Sequence, residues 1–443
     1  MIRIVYNVLF FAFFCLSAPF YFLKMLRRGN WRSGFGQRFG FYGNDVKERL
    51  ADKRTIWLHA VSVGEVNVCT ELIRELEPRL PGFHFTVSTT TSTGMARLRA
   101  ELPGNVSKVY YPIDLFWIVS RALRVIRPAA FILIEAEIWP NLLWRLKRMN
   151  VPTMVVNARL SDRSYRGYRK HAWLFRPIFQ SFAYVGAQNE QDAGRLREIG
   201  YREDAVAIPG VLKFDTAKPP KASTLDAREL LRRCGMKANA PVLVGGSTHD
   251  GEEAILARIA KRLRERFPDL YLVLVPRHME RRNQVAATLD ELDVNYQLRS
   301  RLTEQGENPD CHCLVVDSTG ELIEFYREAT LVFVGKSLTA KGGQNPIEPG
   351  ALGKAMVLGP NMQNFRYVAQ AFVEGDGARQ VTDEEALEST LAELLSDSQL
   401  AEALGANALK VVEGNQGGVA RTVDGVVARL KSARVIGREM DSL

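Results

Sequence analysis

Short runs of Val, Ile, Leu and Phe recur along the chain, each closed by turn-forming residues and most followed by a stretch of helical periodicity. In the first half they fall at 56–64, 83–91, 108–114, 130–139, 153–159, 184–190 and 205–210, with helical patterns such as 67–76 and 191–199 between them. In the second half they fall at 242–248, 271–278, 313–319, 330–337 and 356–360. Near-continuous apolar runs separated by helices predict parallel strands buried on both faces. The plan runs twice, so the predicted fold is α/β, with two Rossmann-like, doubly wound parallel-sheet domains in succession. The break is the stretch DTAKPPKASTL at 215–225, rich in Pro, Lys, Ala and Thr. The predicted boundaries are 29–215 for the first domain, 216–225 for the linker and 226–443 for the second. Two such domains facing a cleft suit a nucleotide-activated donor opposite an acceptor, with ligands beyond the carboxyl ends of the strands.

The N-terminus departs from this pattern. Ile4 to Leu23 carry no charge, and about 20 apolar residues as a helix cross a bilayer core. Lys24, Arg27, Arg28, Arg32 and Arg38 follow, with no acid before Asp45, so the positive-inside bias places the rest of the chain in the cytoplasm. A cleaved signal peptide would show a shorter apolar core and a small-x-small site, where Lys24 and Met25 stand instead. Residues 1–28 are therefore expected to be a membrane anchor with a basic collar; Tyr6, Asn7 and Pro19 leave open a helix lying in the interface. Across all 443 residues, 46% are hydrophobic and 25% charged, which excludes a disordered chain. The five cysteines are odd in number and scattered, which argues against a disulfide scaffold. The formal net charge of +9 favours an anionic partner. Beside the anchor, that partner is expected to be the anionic lipid of a membrane and not nucleic acid.

Candidate chemistry sits where strands end. The run His59-Ala60-Val61-Ser62-Val63-Gly64-Glu65 turns from a strand into a helix. Glu65 is either a first-turn acid favoured by the helix dipole or a general base facing the cleft. Glu135 and Glu137 close the apolar run 130–139, and strand alternation would point both to one face. They require a ligand or a cationic partner. Arg159, at the end of the next strand, is expected to pair with them or to hold an anionic substrate, and Lys213 ends the last strand before the linker. In the second half, Ser247 and Thr248 follow two glycines and lead into a helix, a setting suited to phosphate, while Asp250 and Glu253 match a capping box. Arg277 ends the next strand and suits a bidentate phosphate contact. Gly342 and Gly343 precede Asn345, Pro346 and Glu348, which read as N-cap, first helical position and third. The glycines are expected to free backbone amides for an anion, and Glu348 to hold a ribose diol. The sequence contains no P-loop, no His-Glu-x-x-His and no Asp-x-Asp, so no metal and no cofactor is expected.

These segments together resemble the 3-deoxy-D-manno-octulosonic acid (Kdo) transferases of lipopolysaccharide assembly. The resemblance is carried, in order, by the anchor, Arg38–Tyr42, HAVSVGEV, Ile134–Asn141, NARLS, AQNEQD, GVLKFD, STHDGEE, VPRH, DSTGEL and GGQNPIEP. It implies an inverting, metal-independent glycosyltransferase of GT-B architecture at the inner membrane. The donor would be CMP-Kdo and the acceptor a lipid A precursor. By the same resemblance Glu65 is the catalytic base, Glu137 and Lys213 line the acceptor side, and Arg277, the loop around Gly320, Asn345 and Glu348 hold CMP. Gln344 stands where the family often has His, and Lys336 where it often has Gly. The alternatives are another GT-B transferase or an epimerase using a uridine nucleotide, and a membrane-tethered nucleotide-binding scaffold.

Overall fold

The computed structural model describes residues 2–27, 34–135, 137–216, 225–302, 308 and 310–437. Most of the predicted linker, and Arg28 and Arg32 of the predicted collar, lie outside the described residues. The chain divides into two compact units, Met1–Thr216 with Gly417–Leu443, and Ala217–Gln416.

The first unit is built on β1 (Arg54–His59), β2 (Phe83–Thr89), β3 (Ser107–Tyr110), β4 (Pro128–Ile134), β5 (Thr153–Ala158), β6 (Phe182–Ala187) and β7 (Val206–Ala207). They form one sheet in the order β3-β2-β1-β4-β5-β6-β7, parallel throughout. The second is built on β8 (Val242–Thr248), β9 (Tyr271–Pro276), β10 (Tyr296–Leu298), β11 (Cys313–Val315), β12 (Leu331–Val334), β13 (Ala355–Leu358) and β14 (Arg379–Gln380). Its order is β10-β11-β9-β8-β12-β13-β14, again parallel. All twelve apolar runs read from the sequence became strands; β10 and β14, three and two residues long, carried too little pattern to be seen. The helices used below are α1 (Ile2–Arg27), α2 (Val63–Leu76), α3 (Phe116–Ile126), α4 (Pro140–Arg148), α5 (Glu252–Leu263), α6 (Ile347–Ala351) and α7 (Gly418–Ser432). Both faces of each sheet are covered, as parallel strands require: Ile56, Leu58 and Ile132 pack on one side of the first sheet and Trp57, Phe131 and Leu133 on the other.

The predicted boundary of 226–443 for the second domain does not match these units, because the chain returns to the first unit at Gly417. Asp215 receives the returning segment, accepting from the Gly417 amide (2.6 Å) and the Val419 amide (2.9 Å). Val419, Val423, Val426 and Leu430 of α7 then join the first unit's core beside Ile73 and Leu76 of α2.

α1 lies along the first unit. Tyr6 donates to Asp114 (2.9 Å), Asn7 and Asn141 exchange amide hydrogen bonds (3.1 Å each), and Phe10, Phe11 and Phe22 contact Trp139, Trp117 and Phe35. Leu9, Leu16 and Phe20 face outward. Arg38, expected in the collar, is used internally instead: it donates to the Thr90 carbonyl (2.6 Å) and lies 4.2 Å over the Tyr110 ring.

Leu430 is fully buried in α7. Leu430→Ala is expected to cost about 2–5 kcal/mol, with faster amide hydrogen exchange in β6 and α2 and unchanged exchange in β8–β13. Loosening confined to the second unit would contradict the assignment of α7.

Candidate active site

The first sheet reverses its strand order between β1 and β4; the second does so between β8 and β12, and also has β10 and β11 exchanged at one edge. Connections leave such a point in opposite directions, which opens a crevice beyond the carboxyl ends of the two strands. The acids singled out in the sequence sit at the first of these crevices.

Glu65 lies in the first turn of α2, behind the N-cap Ser62, whose hydroxyl accepts its amide (3.3 Å). Its carboxylate reaches back to accept from the Val61 amide (2.8 Å). The helix starts at Val63, so Gly64 is already a helical residue. Glu65 therefore does cap the helix, yet capping leaves it with an unusual charge state. Burial, with the negative charge of Glu135, pushes its pKa up to about 7 against the Val61 and Ser62 hydrogen bonds. The residue is 8% exposed.

Glu135 and Glu137 do not share a face. β4 ends at Ile134 and Glu135 adopts φ 61°, which breaks the alternation on which that expectation rested. Glu135 turns inward to Arg159 Nε and Lys213 Nζ, 3.4 Å from each. Lys213 begins the single turn Lys213–Thr216 instead of ending a strand. Glu137 turns the other way. It accepts from the Trp139 indole (3.2 Å) and lies 3.7 Å from His59 Nε2, an electrostatic contact rather than a hydrogen bond. Burial raises the Glu137 pKa, but His59 and Trp139 outweigh it and hold the group below its ordinary value. His59 was missed in the sequence as part of the site. It is the last residue of β1, stacked on Tyr111 (3.9 Å between centroids), with Nδ1 2.9 Å from the Ser88 hydroxyl. Its place at a switch-point strand end was the available signal. The crevice thus holds one acid of raised proton affinity, Glu65, near Glu137, whose pKa is held down.

In the second unit the centre is Glu252, which the sequence reading passed over. Its fully buried carboxylate accepts from the amides of His249 (2.8 Å), Lys336 (2.6 Å), Ser337 (2.9 Å) and Leu338 (3.0 Å). It thereby ties the loop after β8 to the loop after β12. A Cβ at Gly335 would strike the Ser247 carbonyl, so the two loops cross in backbone contact. Lys336 adopts φ 55°. Ser247 also has positive φ and is partly exposed, whereas the Thr248 hydroxyl is buried and donates to Glu253 (2.9 Å), so it is not available to a ligand. Asp250 and Glu253 do not form the expected capping box: both pair with Arg281, at 3.0 and 2.8 Å.

The loop 342–348 also differs in detail. The amides of Gly342 and Gly343 are not free for an anion: they donate to Gln363 Oε1 (2.8 Å) and the Lys336 carbonyl (2.9 Å). The glycines are required by φ 129° and 72°. α6 starts at Ile347 behind Pro346, one residue later than expected, and Asn345 accepts the Ile347 amide (3.2 Å) while donating to Glu348 (3.1 Å). Burial raises the Glu348 pKa, opposed by Asn345 and by the charge of Arg277, which places Arg277 within electrostatic reach of it. Gly320, at φ 89°, faces open space.

The profile of the family described as 3-Deoxy-D-manno-octulosonic-acid transferase (kdotransferase) matches residues 33–216. The chain is 33% identical to the 3-deoxy-D-manno-octulosonic acid transferase of Haemophilus influenzae over 91% of its length and 92% of that protein. It is 31% identical to the enzyme of the same description from Bordetella pertussis, over 92% and 95%. A glycosyltransferase from Rickettsia africae superposes with a TM-score of 0.60 over 86% of this chain and 99% of that one, at 13% identity. A UDP-GlcNAc 2-epimerase from Neisseria meningitidis bound to UDP-GlcNAc gives 0.59 over 84% and 100%, also at 13% identity. At such identity these two show a shared GT-B-like fold.

Glu252→Gln would set an amide nitrogen against two backbone donors, each costing about 1–3 kcal/mol when left without an acceptor. The expected result is a second unit destabilised by about 2–6 kcal/mol, measured as hydrogen exchange across β8 and β12. Unchanged exchange there would show that Glu252 is not the tie between the loops.

Proposed function

Since the chain belongs to the 3-deoxy-D-manno-octulosonic acid transferase family, we propose that it transfers Kdo from CMP-Kdo to a lipid A precursor of the lipid IVA type, with inversion and without a metal, at the cytoplasmic face of the inner membrane. The observation that carries the mechanism is the buried Glu65 carboxyl, poised at about 7 beyond the carboxyl end of β1. A general base works best when its pKa lies near the operating pH. Glu65 takes the proton of the acceptor hydroxyl as that oxygen attacks the anomeric carbon of Kdo. The bond from that carbon to the phosphate oxygen breaks on the opposite face, and CMP leaves.

The remaining residues fall into two groups. On the acceptor side, Arg159 and Lys213 supply positive charge for a phosphorylated sugar, and Glu137, kept ionised by His59, accepts from sugar hydroxyls. On the donor side, Arg277 and the partly exposed Ser247 hold the departing phosphate, Glu348 with Asn345 holds the ribose diol, and Gly320 leaves room for the nucleotide. Thr248, Gly342 and Gly343 contribute by shaping these loops. The leaving group is a phosphate monoester, so one guanidinium and oriented dipoles suffice to stabilise its charge. α1 supplies the membrane attachment: it is apolar over Ile2–Phe20 and carries its apolar side chains outward. Sequence identity above 30% across nearly the whole chain favours this reading over a uridine-nucleotide epimerase, whose likeness is confined to the fold.

Glu65→Gln is expected to lower the transfer rate about 10²–10⁴-fold while leaving CMP affinity unchanged. In the wild type, kcat/KM rises with pH through a single ionisation near 7, because the base acts only when deprotonated. Glu135→Gln removes the nearest negative charge, so this limb moves to lower pH; a limb that stays in place or moves up would remove Glu135 from the tuning of Glu65. Glu348→Gln is expected to weaken CMP binding in calorimetric titration by about 1.5–3 kcal/mol, the range for a hydrogen bond to a charged group. Unchanged affinity would reduce Glu348 to a partner of Asn345.

A further inference from the structure

An apolar groove of about 690 Å³ lies between α1 and the helices α3 and α4 of the first unit, within the roughly 300–1,000 Å³ of sites that enclose small molecules. Its walls are Val8 and Phe11 on one side and Phe116 and Trp117 on the other, all still substantially exposed. Large apolar side chains gathered in one open patch mark a binding surface. The groove has its own polar closure at the base, where Asn7 and Asn141 satisfy each other. Asp114 lies behind it, its carboxylate spent on Tyr6 and on the Asn141 and Leu142 amides.

The charge around the groove has one sign. Arg3, Arg145 and Arg148 line it, and no lining residue is acidic. The Arg145 guanidinium lies 5.2 Å from the Phe116 ring centroid, and its buried Nε has no hydrogen-bond partner. Arg3 lies 5.5 Å from the Trp144 ring centroid. A dry slot with guanidinium groups around it complements a molecule with a hydrocarbon chain and an anionic head. The slot is also placed to meet such a molecule. α1 touches the first unit from Tyr6 to Phe22, about 24 Å of helix at 1.5 Å per residue. It therefore lies beside the unit, so that its outward apolar face and the groove are presented together.

We propose that this groove binds one acyl chain of an anionic membrane phospholipid, with the lipid phosphate held by Arg145 and flanked by Arg3 and Arg148. This rests on the reading of α1 as the membrane-attaching element. The occupant is a lipid of the bilayer itself, not the acceptor: the groove is built half from α1, and Arg145 offers a donor to a single phosphate.

The test uses the full chain in detergent micelles containing phosphatidylglycerol, phosphatidylcholine or a lipid A precursor, with retained lipid counted by native mass spectrometry. One phosphatidylglycerol is expected to be retained per chain, and phosphatidylcholine is not. Arg145→Gln is expected to weaken retention at least about tenfold, the loss of one charge-assisted hydrogen bond. Val8→Trp, at an exposed position, fills the groove and abolishes retention. Both variants should keep the wild-type melting temperature, CMP affinity and flotation with phosphatidylglycerol vesicles, since the outward face of α1 is intact. Retention that is equal in Val8→Trp and wild type, indifferent to headgroup charge, or seen only with the lipid A precursor overturns the proposal. Failure of the wild type to float would instead overturn the membrane reading of α1.

Discussion

Parallel strands can be joined only by crossovers, and a doubly wound sheet has a place near its middle where successive connections part to opposite faces. In this protein nearly every functional argument depends on that constraint. β1 and β4 meet there in the first unit and β8 and β12 in the second, and the ends of these four strands with the segments just after them carry Glu65, Glu137, Ser247 and Lys336. The interior of each sheet is filled on both faces with Val, Ile, Leu and aromatic side chains. Polar chemistry is left to the strand ends, where the backbone turns away and room remains for a ligand.

The two switch points manage charge in different ways. In the second unit the Glu252 carboxylate is enclosed completely and met by four backbone amides. Buried charge is tolerable when its lone pairs are used in this way, and the reward is a fixed crossing of two loops. In the first unit three carboxylates lie close together and only two are compensated. Arg159 and Lys213 take Glu135, and His59 with Trp139 takes Glu137. Glu65 has only the Val61 and Ser62 hydrogen bonds against it, so it carries the cost of burial as a raised proton affinity. The asymmetry sets the proton affinity of Glu65 apart from that of Glu137.

Attachment of α1 follows from a similar use of one buried acid. Asp114 is pushed up to about 7 by burial, and it accepts from two amides at the start of α4 and from Tyr6 of α1. It is 1% exposed, and losing any of these partners would leave a desolvated oxygen, so the first turns of α1 are held in one place. Polar residues that were at odds with a spanning helix, Tyr6 and Asn7, are thus the residues that fasten it to the first unit.

Much of this was legible without the structure. Twelve strands, the doubly wound plan, the apolar N-terminal helix and the position of Glu65 in the first turn of a helix follow from local periodicity and from turn chemistry, which act over a few residues. The run of motifs then pointed to the family. What stayed hidden depended on contacts between residues distant along the chain or on a single backbone angle. The pairing of Glu135 with Arg159 and Lys213 follows from φ 61° at one residue, which separates two acids that alternation would have joined. The amides of Gly342 and Gly343 looked available until Gln363 and the Lys336 carbonyl were brought against them by the fold. Glu252 reads as an ordinary first-turn acid, because three of its four partners lie more than eighty residues away. Nor does the pattern of α7 say which sheet it covers, because an amphipathic face specifies only that it must be buried. Local pattern decided which segments are strands and helices; the tertiary structure decided which charges meet, since that is set by strand order and by loops crossing at the switch points.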